Sequence, residues 1–282
     1  MKTILFTVAA LVCFAFNSIL CRLALGGETI DAAGFTVIRL VAAAVVLSII
    51  ILVSGGELKT RFRRGNVLSA FFLFAYAICF SFAYLGLTTA TGALILFGAV
   101  QATMLIYGLV SGERPGALEW WGLVIALGGL VYLVFPGLES PPLLGSFLMA
   151  VAGIAWGFYT LRGKGSSDPI GQTAGNFLIA VPFGIAAAIP FLSSVSISYE
   201  GAFWAILSGA IASGIGYSIW YAALRGHTSS SAAIVQLSVP VIAAIGGLVL
   251  VAEAITLRLI IASALVLGGI GLALCGKRKI TG

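Results

Sequence analysis

Eleven side chains sit where an apolar chain has every reason to avoid them: Asn17, Arg39, Tyr76, Tyr84, Gln101, Trp156, Tyr159, Asn176, Tyr217, Trp220 and Gln236. Each falls inside a long hydrophobic stretch, as does Tyr221. A buried amide, hydroxyl or guanidinium without a partner is costly, so each needs another helix or a bound molecule. Taken singly, any one of them reads as glue between helices. Taken together, they read as a polar cavity walled by aromatic rings, a lining suited to amphipathic or cationic organic molecules. They form the candidate binding set for a small-molecule solute. Arg39 lies about 10 Å along its segment, where a charge must snorkel, find carbonyls or face water. It either clamps a carboxylate in bidentate fashion or anchors the fold, capping a neighbouring helix end or pairing with Asp31 or Glu28. Arg22 reads as a snorkelling residue at a segment end.

What the chain lacks is equally informative. All nine carboxylates, Glu28, Asp31, Glu57, Glu113, Glu119, Glu139, Asp168, Glu200 and Glu253, fall in connections or at segment ends, and the one histidine, His227, lies in a connection. Carriers driven by protons or sodium commonly bury an ionisable group at mid-depth. None is offered here, so a facilitated or weakly coupled process is expected, unless a segment-end acid such as Glu253 faces water and titrates. There is no His-Glu-x-x-His, no pair of buried aspartates and no Ser/His dyad, so no catalytic residue and no enzyme is expected. Cys13, Cys21, Cys79 and Cys275 show no metal spacing and read as small buried hydrophobes. No cofactor and no metal are implied.

The elements that must position these residues follow from composition. The 282 residues are 61% hydrophobic and 9% charged, with a mean hydropathy of +1.16, whereas soluble domains carry about 25% charged residues. The chain reads as an integral membrane protein whose surroundings are the lipid bilayer. The run from Thr3 to Cys21 exceeds the length of a signal-peptide core and is read as a retained first span. A crossing helix needs about 20 apolar residues, which places spans near 3–24, 33–54, 66–86, 89–111, 117–136, 143–161, 170–192, 201–223, 229–251 and 257–276. A very tight turn near Leu87-Thr88 makes the third and fourth an antiparallel hairpin. The apolar runs are continuous, which argues against a barrel. Trp120, Trp121 and Trp204 sit near span starts, as interfacial belt residues do. The glycines inside spans, Gly128-Gly129, Gly246-Gly247 and Gly268-Gly269 among them, permit close helix contact.

Residues 85–129 and 224–269 nearly repeat one another. Leu85, Thr89, Ala93, Ile95 and Val100 align with Leu224, Thr228, Ala232, Ile234 and Val239, and Gly108-Leu109-Val110 with Gly247-Leu248-Val249. After a one-residue slip, Glu113 meets Glu253 and Leu127-Gly128-Gly129 meets Leu267-Gly268-Gly269. Five spans per copy is an odd number, so the second copy must be inverted. The expected fold is all-α: ten transmembrane helices as two inverted five-helix repeats, residues 1–137 and 138–282, in one membrane domain. Such repeats build alternating-access carriers with a site at mid-membrane. With the N-terminus inside, twelve of the fifteen Lys and Arg residues fall on the inner side, which predicts cytoplasmic N- and C-termini. The pI of 9.3 thus reflects orientation, and no nucleic-acid partner is implied. Pro182 and Pro240 lie inside spans, where proline frees a carbonyl. Pro240 is the expected hinge, and Gln101 is its counterpart in the first repeat. A monomer or weak homodimer is expected.

At this point the chain resembles the EamA family of the drug/metabolite transporter superfamily over essentially its whole length. The resemblance rests on the ten spans in two repeats, Arg39 early in the second span, Trp156-Gly157 in the sixth, Gly112-Glu113-Arg114 after the fourth, Ala252-Glu253 after the ninth, and the Leu-Gly-Gly stretches of the fifth and tenth. Two departures are Phe14-Ala15-Phe16-Asn17 where the family usually shows Trp-Gly-Ser-Asn, and Gln101 where it often places a proline. The resemblance implies export of amino acids or other small metabolites across the plasma (inner) membrane, with toxic cations and sugar derivatives as cargo of some members. Because that family keeps an arginine at the Arg39 position across varied cargo, it favours the anchoring role for that residue. A non-transporting scaffold or flippase subunit is the rival expectation, which two inverted halves disfavour.

Overall fold

The computed structural model describes residues 2–111, 116–137, 140–163, 166–224 and 235–276. Among these, structure is helical apart from one antiparallel bridge between Ile30 and Ile197. The first half comprises α1 (Lys2–Gly26), α2 (Ala32–Val53), the short α3 (Leu58–Phe62), α4 (Val67–Ala83), α5 (Thr89–Val110) and α6 (Ala117–Val134). The second comprises α7 (Leu143–Gly163), α8 (Pro169–Ala188), α9 (Tyr199–Leu207), α10 (Gly216–Leu224), α11 (Ser238–Leu250) and α12 (Leu257–Gly276). Eight described helical segments are long and apolar enough to cross a membrane, and Val67–Ala83 and Ser238–Leu250 are shorter apolar helices in the places of the third and ninth expected spans.

Polar side chains at the turns set where several helices begin. Asp31, Asn66, Asp168 and Ser198 each accept the backbone N–H three residues on, capping α2, α4, α8 and α9, and Pro169 opens α8. These are the residue types that satisfy the unpaired donors of a helix start. Between helices the burial is mostly apolar, and the outward faces carry exposed Ile, Leu, Val and Phe, the reverse of a surface meant for water.

The packing exchanges the two halves. The span α1 lies against α9–α10 and α11, while its counterpart α7 lies against α4 and α5. Likewise α2 meets α9 and the winding that follows it, as α8 meets α4. Three pairs join a helix to its own counterpart: α2 with α8, α5 with α11, and α6 with α12. The α6–α12 contact is the closest of these. A Cβ on Gly269 would come within 2.6 Å of the Gly122 carbonyl and the Ala126 amide, so glycine is required there, whereas Gly268 and Gly128 face open space.

Several expected features are displaced. The eighth span is not uniform: between α9 and α10, residues Ser208–Ile215 wind as a π-helix, with Ser213 Oγ donating to the Ser208 carbonyl at 3.0 Å. Pro240 falls in the first turn of α11, just after a break at Leu237, rather than within a continuous span. A proline removes the N–H that would bond to the carbonyl four residues back and clashes with it, here Gln236. The Gly112-Glu113-Arg114 motif, Glu139, Lys164, Arg225, His227 and the Lys277-Arg278-Lys279 cluster lie outside the described residues.

Candidate functional site

The side chains meet midway along the spans. Asn17 of α1 donates through Nδ2 to the Tyr76 hydroxyl of α4 at 2.9 Å and accepts at Oδ1 from Ser208 Oγ at 2.7 Å. Arg39 of α2 donates through Nη2 to the same hydroxyl at 3.4 Å, and its guanidinium lies over the Tyr76 ring (5.4 Å) and the Phe80 ring (5.0 Å). Three elements therefore converge on one phenol. Gly209 packs directly on the Arg39 backbone carbonyl, which brings the π-wound segment against α2. Ser208, whose signal was a lone hydroxyl in an apolar run, is thus a member of the site that sequence reasoning missed.

An aromatic wall completes it. Trp156 of α7 lies 4.9 Å from Tyr76, 5.4 Å from Tyr159 and 5.0 Å from Tyr217, centroid to centroid. Phe14 meets Tyr217 and Trp220 edge-on at 5.9 and 5.8 Å. Of these rings, Phe14, Tyr76, Trp156 and Tyr217 line a cavity of about 20 Å³, and Tyr159 and Trp220 stand behind them. From the first half it is lined by Phe14, Asn17, Ser18, Tyr76, Phe80, Leu96 and Phe97; from the second, by Trp156, Ala212 and Tyr217. One water needs about 10–15 Å³ on this measure, so the cavity as it stands holds one or two waters and no metabolite.

Other members of the expected binding set are placed elsewhere. The Tyr84 hydroxyl donates to the Thr89 carbonyl at 3.2 Å and closes the α4–α5 turn. Asn176 accepts from the Asn66 amide at 2.8 Å and donates to the Tyr159 hydroxyl at 3.5 Å, fastening α8 to the start of α4. Gln101 is buried one turn beyond Phe97, off the cavity wall, and Gln236 is half-buried just before the break at Leu237.

Contacts across the halves tie the opposite ends of the helix bundle, near Tyr84 and near Asn66 at the two ends of α4. At one end Arg22 Nε pairs with Glu253 Oε1 at 3.0 Å and Arg22 Nη1 donates to the Tyr84 carbonyl at 3.2 Å. Glu253 Oε2 accepts from the Thr89 amide at 2.8 Å. Arg22 is therefore an ion-pair partner, not the lone snorkelling residue its position suggested. At the other end Arg61 and Arg64 approach Asp168 at 3.5 and 3.8 Å, and Arg162 donates to Asn66 Oδ1 and Ser69 Oγ, each at 3.0 Å.

Arg39 has no such partner. It is 2% exposed, its Nη1 makes no hydrogen bond, and it forms no ion pair among the described residues. Asp31, one of the two carboxylates offered as its partner, instead accepts from Gly34 and Ser196. The described carboxylates all lie in connections or first turns, and no group of three His, Cys, Asp or Glu side chains gathers among the described residues.

Comparison with known proteins places this architecture. The chain is 46% identical over 279 residues to an uncharacterized protein of Pseudomonas aeruginosa, covering 98% of this chain and 96% of that one. It is 30% identical over 190 residues to an uncharacterized transporter of Archaeoglobus fulgidus, covering 63% and 65%. Over 83 residues, 29% of this chain and 27% of the other, it is 29% identical to the uncharacterized inner membrane transporter YedA of Escherichia coli. A solved crystal structure at 20% identity superposes with a TM-score of 0.65 over 96% of this chain and 99% of that one, which shows a shared fold. The profile of the EamA-like transporter family matches residues 1–135 and again 143–275. The chain belongs to the EamA-like transporter family and is an integral membrane transporter.

Proposed function

We propose that this protein exports small organic metabolites, amino acids or related amphipathic solutes, by alternating access, and that the cavity between its halves is the solute site. The observation that carries the reading is the cavity itself, lined by both halves at mid-span, with ion pairs joining the halves at either end of the helices. Opening one end at a time would expose the same aromatic wall to each side in turn, as inverted-repeat carriers do. Two further observations support the two halves, 1–137 and 138–282, as the moving units: the exchange of helix neighbours between them and the double family match. With no described carboxylate at mid-depth, transport is facilitated or weakly coupled. The excess of Lys and Arg on one side favours cytoplasmic N- and C-termini. The YedA relative's name favours an inner-membrane location.

The test is counterflow in proteoliposomes containing this chain alone, preloaded with an amino acid pool. Accumulation of labelled solute, abolished by Ala212→Phe in the cavity wall, is the expected result. Absence of flux with every metabolite pool would favour a scaffold or flippase subunit and refute the carrier.

A further inference from the structure

No carboxylate lines the cavity, whose polar groups are hydroxyls, one amide and one indole N–H. Its one side-chain carbonyl, Asn17 Oδ1, is taken by Ser208. The Tyr76 hydroxyl oxygen accepts from both Asn17 and Arg39, and its own proton has no acceptor among the described residues. The same holds for the Tyr217 hydroxyl and the Trp156 ring N–H on the same wall. Behind them stands Arg39, buried and cationic, with Nη1 unpartnered. Buried polar groups are ordinarily paired, and a buried charge more so. Two candidate counter-ions are occupied: Asp31 by backbone amides, Glu253 by Arg22 and Thr89.

Aromatic walls alone would invite a cation. Here the faces of Tyr76 and Phe80 already carry the guanidinium of Arg39, and a second positive charge beside it would be repelled in a medium of low dielectric. We propose that the cavity selects solutes bearing a carboxylate and turns away organic cations. The carboxylate accepts from the Tyr76 hydroxyl on the cavity wall, with the Arg39 guanidinium directly behind that ring, and the solute's apolar or aromatic body lies along Trp156, Tyr217 and Phe14. This assignment rests on the cavity being the solute site.

Three probes that share a phenyl body but differ in charge test it: 3-phenylpropionate, phenylalanine and 2-phenylethylamine. Binding to the purified protein is read by tryptophan fluorescence, with Trp156 in the wall as reporter. The wild type should bind the anion and the zwitterion at least tenfold tighter than the amine, a result that needs no variant. Tyr76→Phe should weaken anion binding several-fold. Arg39→Gln should abolish the charge preference, while Arg39→Lys keeps the preference at lower affinity. Equal or tighter binding of the amine by the wild type overturns the assignment, as does failure of all three probes to bind at millimolar concentration. Should Arg39→Gln fail to fold, the wild-type selectivity and Tyr76→Phe still decide. Ala212→Phe separates the two levels of the argument: probes that still bind with the cavity filled refute the cavity as the site, whatever their charge.

Discussion

Glu253→Gln is the perturbation that most directly tests whether the ends of the molecule act as gates. The carboxylate uses one oxygen for Arg22 and the other for the Thr89 amide. Glutamine has the same shape but one acceptor, so one of the two donors would face an NH2 group. A hydrogen bond to a charged group contributes about 1.5–3 kcal/mol. The side chains are 23% and 11% exposed, so solvent screening trims this to about 1–2 kcal/mol. That is roughly a 5–30-fold increase in the open population at this end. The readout is Ala212→Cys in a background where Cys13, Cys21, Cys79 and Cys275 are alanine, labelled with a membrane-impermeant maleimide applied from the Arg22 side. Labelling should quicken by the same 5–30-fold factor. Arg22→Gln should act alike, and the double variant should exceed neither single, because both remove one shared contact. Labelling unchanged within twofold, with Asp168→Asn at the opposite end raising it instead, would refute the assignment of this ion pair as a gate.

Two further outcomes follow from the geometry. Pro240→Ala restores an N–H able to bond across the break at Leu237, so α11 should stiffen and the counterflow rate fall; an unchanged rate in proteoliposomes removes the hinge. Gly269→Leu drives a side chain into the Gly122 carbonyl and should destabilise by at least ~1–3 kcal/mol, seen as a lowered Tm in detergent. Gly268→Leu, which meets open space, should leave Tm unchanged; equal effects of the two would sink the close-contact argument.

The spans were legible in the sequence because a bilayer imposes a length that composition records directly, and the observed helix limits fall within a few residues of the expected ones wherever both are described. The site was only half legible. Asn17, Tyr76, Trp156 and Tyr217 line the cavity, yet Tyr84 and Asn176 belong to turns and helix starts. Inside a span a polar side chain costs the same whether it faces a cavity or a neighbouring helix, so its residue type cannot distinguish the two. Partners are harder still: Asn17 and Ser208 are 191 positions apart, and Arg22 and Glu253 are 231 apart. Arg39 shows the opposite limit. Its place inside a span is plain from the sequence, but only the geometry shows that no carboxylate among the described residues pairs with it.

The π-wound stretch Ser208–Ile215 lies directly before Tyr217 and Trp220. A π-turn holds one residue more than an α-turn, and one residue amounts to about 100° of rotation and 1.5 Å of rise along an α-helix. Rewinding a single turn of it would therefore swing both aromatic rings about a quarter of the way round their helix while α9 stayed in place. The position of half the aromatic wall is set by the phase of a screw, and that phase is stored in a segment of mostly glycine, alanine and serine, whose small side chains let it pack closely against α2.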